Sequence, residues 1–334
     1  MATYKEIHGV KVQYRDSDAT AIEGDVWYNS STGKLKMYAA LGAWTSGGDV
    51  NTGRLTFASA NRAPSTTTLI VAGMTTGNDN RGLAEVYDGS SWTEVADLVT
   101  EDRKEAGGAG TSTAALCIGG SEPGGPKKYT EAFDGSSWSE VADLNVGGEK
   151  HDNATAGTQT AALFIGGSRE VSPGNSATVE SYNGTSWTEI ADLNAGCYSF
   201  ATGFGISTAA LLCGGGRGEP ASLSALVEEW NGTSWTEVGD INDARNGMGG
   251  AGTTTHGLLW AGFSPAVMAS TEEWDGSTWT ETTNLSTASC YGGGGGTASS
   301  ATAVAGSSVN DSGNALATTE EWEIAASVET VAFD

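Results

Sequence analysis

Few residue types in this chain could carry chemistry. Histidine occurs three times, at His8, His151 and His256, and no two of them stand at the His-Glu-x-x-His spacing that would put two imidazoles on one zinc ion. Carboxylates are abundant and come in pairs: Glu94 with Asp97, Glu140 with Asp143, Glu189 with Asp192, and Glu237 with Asp240. Two carboxylates are the equipment of glycoside hydrolysis. A catalytic pair is needed once, however, whereas these recur at regular intervals, as a solvated face would. The glycine run Gly292–Gly296 is followed by no Lys-Ser/Thr and opens no helical pattern, so it does not read as a phosphate loop. No Asp-x-Asp-x-Asp-Gly calcium loop is present. The four cysteines, Cys117, Cys197, Cys213 and Cys290, form no Cys-x-x-Cys pair, and Cys117 and Cys213 sit in apolar runs where a thiol acts as a small hydrophobe. The expectation is no catalytic residue, no metal and no cofactor.

The elements that would position any site are repeats. YDGSSWTEVADL, residues 87–98, returns as FDGSSWSEVADL, YNGTSWTEIADL, WNGTSWTEVGDI and WDGSTWTETTNL. The tryptophans are Trp92, Trp138, Trp187, Trp235 and Trp279, at steps of 46, 49, 48 and 44 residues. A period of that size marks a repeat architecture with one supersecondary unit per period. Each unit opens on a small-residue segment such as 105–110. An apolar run ending in Gly follows, as in Ala114–Gly120, Ala161–Gly167 and Ala209–Gly215. After a variable loop, a third run ends in an aromatic and a fourth begins at the Trp. Asp-Gly or Asn-Gly stands between the last two, a strong hairpin signal because both positions tolerate φ > 0. Each unit therefore reads as a four-stranded meander. Its small first strand would lie where backbones crowd, its apolar second strand between neighbouring sheets, and its fourth strand half in water. Such sheets bury both faces by radial stacking, as in a β-propeller.

The apolar-Gly-Gly ends at Gly119-Gly120, Gly166-Gly167 and Gly214-Gly215, each followed by an aromatic and, five residues later, Trp, resemble the kelch repeat of galactose-oxidase-like propellers over about residues 50–323. Units with Ala-Gly or Gly-Phe instead, at 72–73, 261–263 and 305–306, depart from that pattern. The resemblance raises a copper site, which would need paired Tyr and His ligands and a Cys beside a Tyr. Cys197-Tyr198 and Cys290-Tyr291 are adjacent, but three scattered histidines do not supply the ligands. The segment GDVWYNSSTGKLKMY…GAWTSGGDVNTGR followed by Gly-rich kelch-like units also resembles a class of marine bacteriophage virion proteins.

The expected fold is all-β, a six-bladed kelch-like propeller over residues 49–334, preceded by an N-terminal β-hairpin segment over residues 1–48. Val10, Val12 and Tyr14 suggest a short strand. Residues 26–28 and 35–38 flank the turn-rich Asn29–Gly33 as a hairpin. Trp322 lies 48 residues after Trp274 and fills the aromatic slot of a sixth third strand. Its fourth strand would come from Ala43-Trp44-Thr45, in phase with the repeat, or from the C-terminal SVETVAFD. A seventh blade would form if 24–46 paired with the C-terminal tail.

The net charge of −25 repels nucleic-acid backbones and anionic membranes. No secretory signal and no apolar run of membrane-spanning length is visible, so membrane insertion is not expected. Non-repeating positions are where ligand recognition belongs. The loops between second and third strands hold scarce positive charge at Arg81, Lys127, Lys128, Arg169 and Arg217, which are the expected binding residues. The resemblance implies a non-enzymatic virion protein, assembled in the host cytoplasm, that displays a propeller as a tail fibre, appendage or capsid decoration. Its partners would be other virion proteins, further copies of itself and a host glycan or receptor. The alternatives are a stand-alone glycan-binding propeller and, behind it, an oxidase or hydrolase.

Overall fold

The computed structural model describes residues 13–17, 25–60, 66–77, 79–100, 102–123, 125–146, 148–149, 154–169, 176–217, 222–310 and 314–330. Among them there is no helix. The chain divides into two compact units, Trp44–Trp322 and Met1–Ala43 with Glu323–Asp334. The division therefore falls a few residues before the expected boundary at residue 48, and the last twelve residues group with the N-terminal segment.

In the smaller unit, strand Gln13–Arg15 runs parallel to Val26–Asn29, with Gln13 opposite Trp27. Val26–Asn29 pairs antiparallel with the start of the long strand Lys34–Ser46, with Val26 opposite Met37. This is the expected hairpin. Its turn is held by the buried Asn29, whose Oδ1 accepts from the Ser31 and Thr32 amides at 3.0 and 2.9 Å. Trp27 is fully buried under the Arg15 guanidinium, which lies 5.1 Å from the ring centre and pairs with Asp25 at 2.7 Å. Val10 and Val12 lie outside the described residues.

The larger unit is built of sheets with one plan. The second sheet is typical. Gly107–Thr111 pairs antiparallel with Ala114–Ile118, which pairs with Thr130–Phe133, which pairs with Trp138–Glu140. Four more four-stranded sheets repeat this order, starting at Ala58–Ala60, Thr155–Thr158, Thr202–Ile206 and Gly249–Gly252. A sixth set starts with Gly293–Thr297 and Ser300–Val304, then takes its third strand from Thr319–Thr330 and its fourth from the end of Lys34–Ser46. The Gly47 amide donates to the Thr319 carbonyl at 2.9 Å, and Val50 to Ala317 at 2.8 Å. The strand beside Thr319–Trp322 thus comes from the N-terminal side of the chain, not from SVETVAFD.

Small residues in the first strands have a direct cause. The six first strands neighbour one another in turn, and Gly293–Thr297 returns to Ala58–Ala60, so among the described residues they close a ring. A Cβ on Gly108 would come within 2.3 Å of the Ser59 carbonyl oxygen, and one on Gly203 within 2.9 Å of that of Thr155. The seam between the last and first sheets is tied by Thr68 Oγ1 donating to Thr302 Oγ1 at 3.1 Å. Second strands are buried almost throughout, because each is covered by a sheet on either side; fourth strands bury only their leading Trp.

The hairpin before each Trp falls at the expected Asp-Gly or Asn-Gly, but only the glycine takes a positive φ. It is a four-residue loop, 88–91 in the first sheet, in which only Gly89 is left-handed, at φ 92°. Asp88 does not share that conformation. It caps the loop instead, its Oδ1 accepting from the Ser90 and Ser91 amides at 2.9 Å each. Asn183 and Asn231 do the same through their side-chain carbonyls.

Candidate functional site

Two kinds of surface could carry function: the loops joining second to third strands, and the axial end of the ring that they surround. All of these loops leave their sheets at the same end, since each follows a second strand. Several fold into small two-stranded ladders, such as Met74–Thr75 with Asp79–Asn80 and Ser121–Glu122 with Gly125–Pro126.

The five basic residues expected there have different fates. Arg81 is exposed and pairs with Asp79 within its own hairpin. Lys127 lies 3.7 Å from Glu122, and the exposed Lys128 donates to the Asn145 carbonyl at 3.2 Å. Arg169 lies in strand Ser168–Arg169, and its side chain is outside the described residues. Arg217 is corrected outright. It is 7% exposed and donates to Glu228 Oε1 at 3.0 Å and to the Ala195 carbonyl at 2.6 Å. A guanidinium satisfied inside the protein is not offered to a ligand.

That pair belongs to a feature that the loop argument passes over. The second residue of every third strand is a buried glutamate: Glu85, Glu131, Glu180, Glu228, Glu272 and Glu320. Each carboxylate takes the backbone of the segment entering a sheet. Its Oε2 accepts an amide from Asn51, Val99, Asn145, Asn194, Asn242 or Ser286, at 2.7–2.9 Å. Buried guanidiniums complete several of these sites: Arg54 on Glu85, Arg103 on Glu131, Arg217 on Glu228 and Arg245 on Glu272. Burial pulls the Arg54 and Arg245 guanidiniums below their ordinary value, against the opposing pull of their glutamates. The signal was present in the sequence as Glu two residues before the third-strand aromatic, in every unit.

At the axial end the described loops are joined through their backbones. Thr56, Glu105, Phe200 and Tyr291 are left-handed non-glycine residues at φ 53–59°, and Gly247 joins them at 64°. Their amides form a chain around the axis. Glu105 donates to Thr56 at 2.7 Å, Thr56 to Tyr291 at 2.8 Å, Tyr291 to Gly247 at 2.9 Å and Gly247 to Phe200 at 2.8 Å. The remaining arc, between Glu105 and Phe200, lies outside the described residues. Non-glycine residues held in this conformation cost free energy and persist where the surrounding structure imposes them, often at ligand-binding positions. The Phe200 and Tyr291 rings lie 4.4 Å apart between centres and are tilted by 48°, and both are partly exposed. The buried Thr56 Oγ1 has no hydrogen-bond partner.

The remaining reactive side chains are accounted for. All four cysteines are free and buried; burial pushes the Cys117 thiol up to about 11 and raises that of Cys213 as well. The paired carboxylates from Glu94–Asp97 to Glu237–Asp240 are exposed. His256 is exposed, and His8 and His151 are outside the described residues. Among the described residues no three His, Cys, Asp or Glu side chains gather as a metal-binding group. The structural Trp and Gly residues stand where the repeat predicts. Trp92, Trp138, Trp187, Trp235 and Trp279 are each at most 6% exposed, and the glycine pairs at 119–120, 166–167 and 214–215 are all left-handed. Ala72, Ala261 and Ala305 adopt the same conformation at the first position of the pair, so the Ala-Gly units keep the backbone of the Gly-Gly ones.

No protein-family model and no curated protein matches the sequence. Among solved structures, that of YjhT is similar to this chain, with a TM-score of 0.66 at 13% identity, covering 81% of this chain and 95% of that one. At that identity the likeness speaks to fold alone, and with the stacked antiparallel sheets it makes this an all-β protein of β-propeller fold.

Proposed function

We propose that this chain is a non-enzymatic structural protein of a bacteriophage particle. Its six kelch-like sheets would form a display propeller on a tail fibre, appendage or capsid surface, assembled in the host cytoplasm. The observation that carries this reading is the division of labour between repeating and non-repeating residues. Each recurring ionisable group has a structural employment, either in a glutamate–backbone latch or on a solvated outer strand. Within the larger unit, residues free of the repeat lie in the loops and around the axis, which is the arrangement of a scaffold presenting a contact surface. The phage assignment rests on the resemblance of segment 24–54 to virion proteins. Mass spectrometry of purified virions tests it: the reading requires this chain among the particle proteins at stoichiometric level, and its absence from particles ends the reading.

A second reading, a glycan-binding propeller without a virion role, is favoured by the Phe200–Tyr291 pair. Partly exposed aromatic faces suit the apolar face of a sugar ring. Saturable binding of host polysaccharide, weakened more by Tyr291→Ala than by Lys128→Ala, would support it; a flat response across a glycan array would remove it.

A further inference from the structure

Among the described residues, Glu320 lacks the cation that Glu85, Glu131, Glu228 and Glu272 hold. The guanidinium always lands on Oε1: Nη2 of Arg54 on Glu85, Nη2 of Arg103 on Glu131, Nη1 of Arg217 on Glu228, and Nη2 of Arg245 on Glu272 at 2.6 Å. Glu320, 6% exposed, keeps the backbone half of the pattern. Its Oε2 accepts from the Ser286 amide at 2.9 Å and its Oε1 from the Thr287 amide at 3.1 Å. No guanidinium reaches it among the described residues.

The register identifies the missing group. The second residue of each apolar-end pair donates its amide to the arginine slot of the next sheet: Gly73 to Arg103, Gly215 to Arg245 and Gly306 to Arg54. The same bond runs from Gly262 to the Ser289 carbonyl at 2.8 Å, so Ser289 occupies the arginine slot facing Glu320. In the fourth sheet the slot holds Cys197, and there Arg217 supplies the guanidinium from the neighbouring loop strand. The position matching Arg217 in the last sheet is Ser308, so that route is missing as well.

Where the guanidinium would sit there is a small recess, with about 10 Å³ of room for the centre of a water-sized molecule and a side open to solvent. Its walls include Ser289, Ala305, Thr318 and Glu320. These repeat the cradle of the filled sites. Arg54 Nη1 donates to the Ala72 and Leu83 carbonyls, and Arg245 Nη1 donates to Ser270 Oγ. Ala72 bonds to Leu83 and Ala261 to Ser270 as Ala305 bonds to Thr318, so Ala305 and Thr318 stand at the matching acceptor positions. Thr287 and Thr318, at the mouth, are partly exposed. A buried carboxylate without a counter-charge is costly, and a small cation able to donate N–H bonds would offset that cost.

We propose that the recess beside Glu320 is a binding site for a small guanidinium-class cation, which takes the place of the arginine found in four of the other sheets. The probe is guanidinium chloride at millimolar, non-denaturing concentration, with thermal unfolding as readout. Tetramethylammonium chloride at equal concentration carries the same charge and ionic strength but donates no N–H. A saturable rise in midpoint on the order of 2 °C with guanidinium alone is expected. Ser289→Arg should unfold at a higher temperature than wild type without any added salt and should no longer respond to guanidinium. Glu320→Gln should also lose the response; if that variant does not fold, Ser289→Arg decides the matter. Equal effects of the two salts on wild type, or an undiminished guanidinium response in Ser289→Arg, would overturn the site.

Discussion

Arg103 and Glu131 are both fully buried, and the guanidinium also meets Thr100 Oγ1 and the Cys117 carbonyl. Such a pair is a poor source of net stability but an expensive one to break, because the surviving charge stays buried. Arg103→Ala should therefore cost about 3–5 kcal/mol in chemical unfolding. Replacing both partners together, as Arg103→Met with Glu131→Gln, should cost less, because Gln removes the orphaned charge and keeps an acceptor for the Val99 amide. A double variant as unstable as the single would show that the pair itself, rather than the orphaned charge, holds the sheet. The turn aspartates act in the opposite regime, at the surface. Hydroxyl and amide donors from Ser136 and Ser137 hold Asp134 down at about 2, and amide and hydroxyl donors from Thr278 and Ser277 hold Asp275 at about 2. An unfolded aspartate titrates near 3.9. A depressed folded value means stability that is complete above about pH 4 and lost as pH falls toward about 2. Asp134→Asn keeps the acceptor, as Asn183 does in the third sheet, but not the charge. Its midpoint deficit against wild type should shrink between about pH 4 and about pH 2, which a melt series reads directly.

Strand pairing decides where the chain closes. The Trp44 ring lies 5.3 Å from Trp322 and 5.5 Å from Trp260, and its Nε1 donates to Thr271 Oγ1 at 2.9 Å. Trp92 makes the same bond to Thr319 Oγ1, one sheet on. Trp44 is therefore the leading Trp of a fourth strand, wedged between its own sheet and the preceding one like the others. Trp44 is only partly buried, so Trp44→Ala should lower stability by somewhat less than the about 3–5 kcal/mol of fully buried aromatic truncations. Removal of residues 331–334 should have a much smaller effect; thermal melts of the two variants side by side test the assignment. The hairpins show a limit of pattern reading. Asp-Gly announced a turn at the right place, yet loop length and the capping role of Asp88 depend on which strand residues pair, here Tyr87 with Trp92.

For the molecule as a whole, the dominant long-range quantity is a net charge of −25. With the glutamates of the third strands latched inside, the rest of the acidic charge is largely on outer strands and turns, where it repels itself and is open to screening. Raising ionic strength from about 0.01 M to about 0.15 M shortens the screening length from about 30 Å to about 8 Å. The unfolding midpoint should rise over that range; a fall would mean that exposed ion pairs such as Arg81–Asp79 outweigh the repulsion. In the virion role proposed above, the same charge would hold a particle surface coated with this protein off from anionic surfaces.

Architecture was readable from the chain because it depends on periodic, local properties. The Trp spacing, the small first strands and the apolar second strands each report burial, and burial follows residue type once a sheet is assumed. The site was much less readable, because it depends on which distant residues meet. Arg217 looks like a loop cation in one dimension and is a core counter-ion in three, since its strand turns back over Glu228. Ser289 is unremarkable in sequence and becomes informative only when the amide bond from Gly262 places it in a slot held elsewhere by arginine. Thr56, Phe200 and Tyr291 share no motif, yet ring closure forces them into one backbone conformation around the axis. Burial patterns are written along the chain, whereas counter-charges and closure are set between sheets, by pairings that no local window contains.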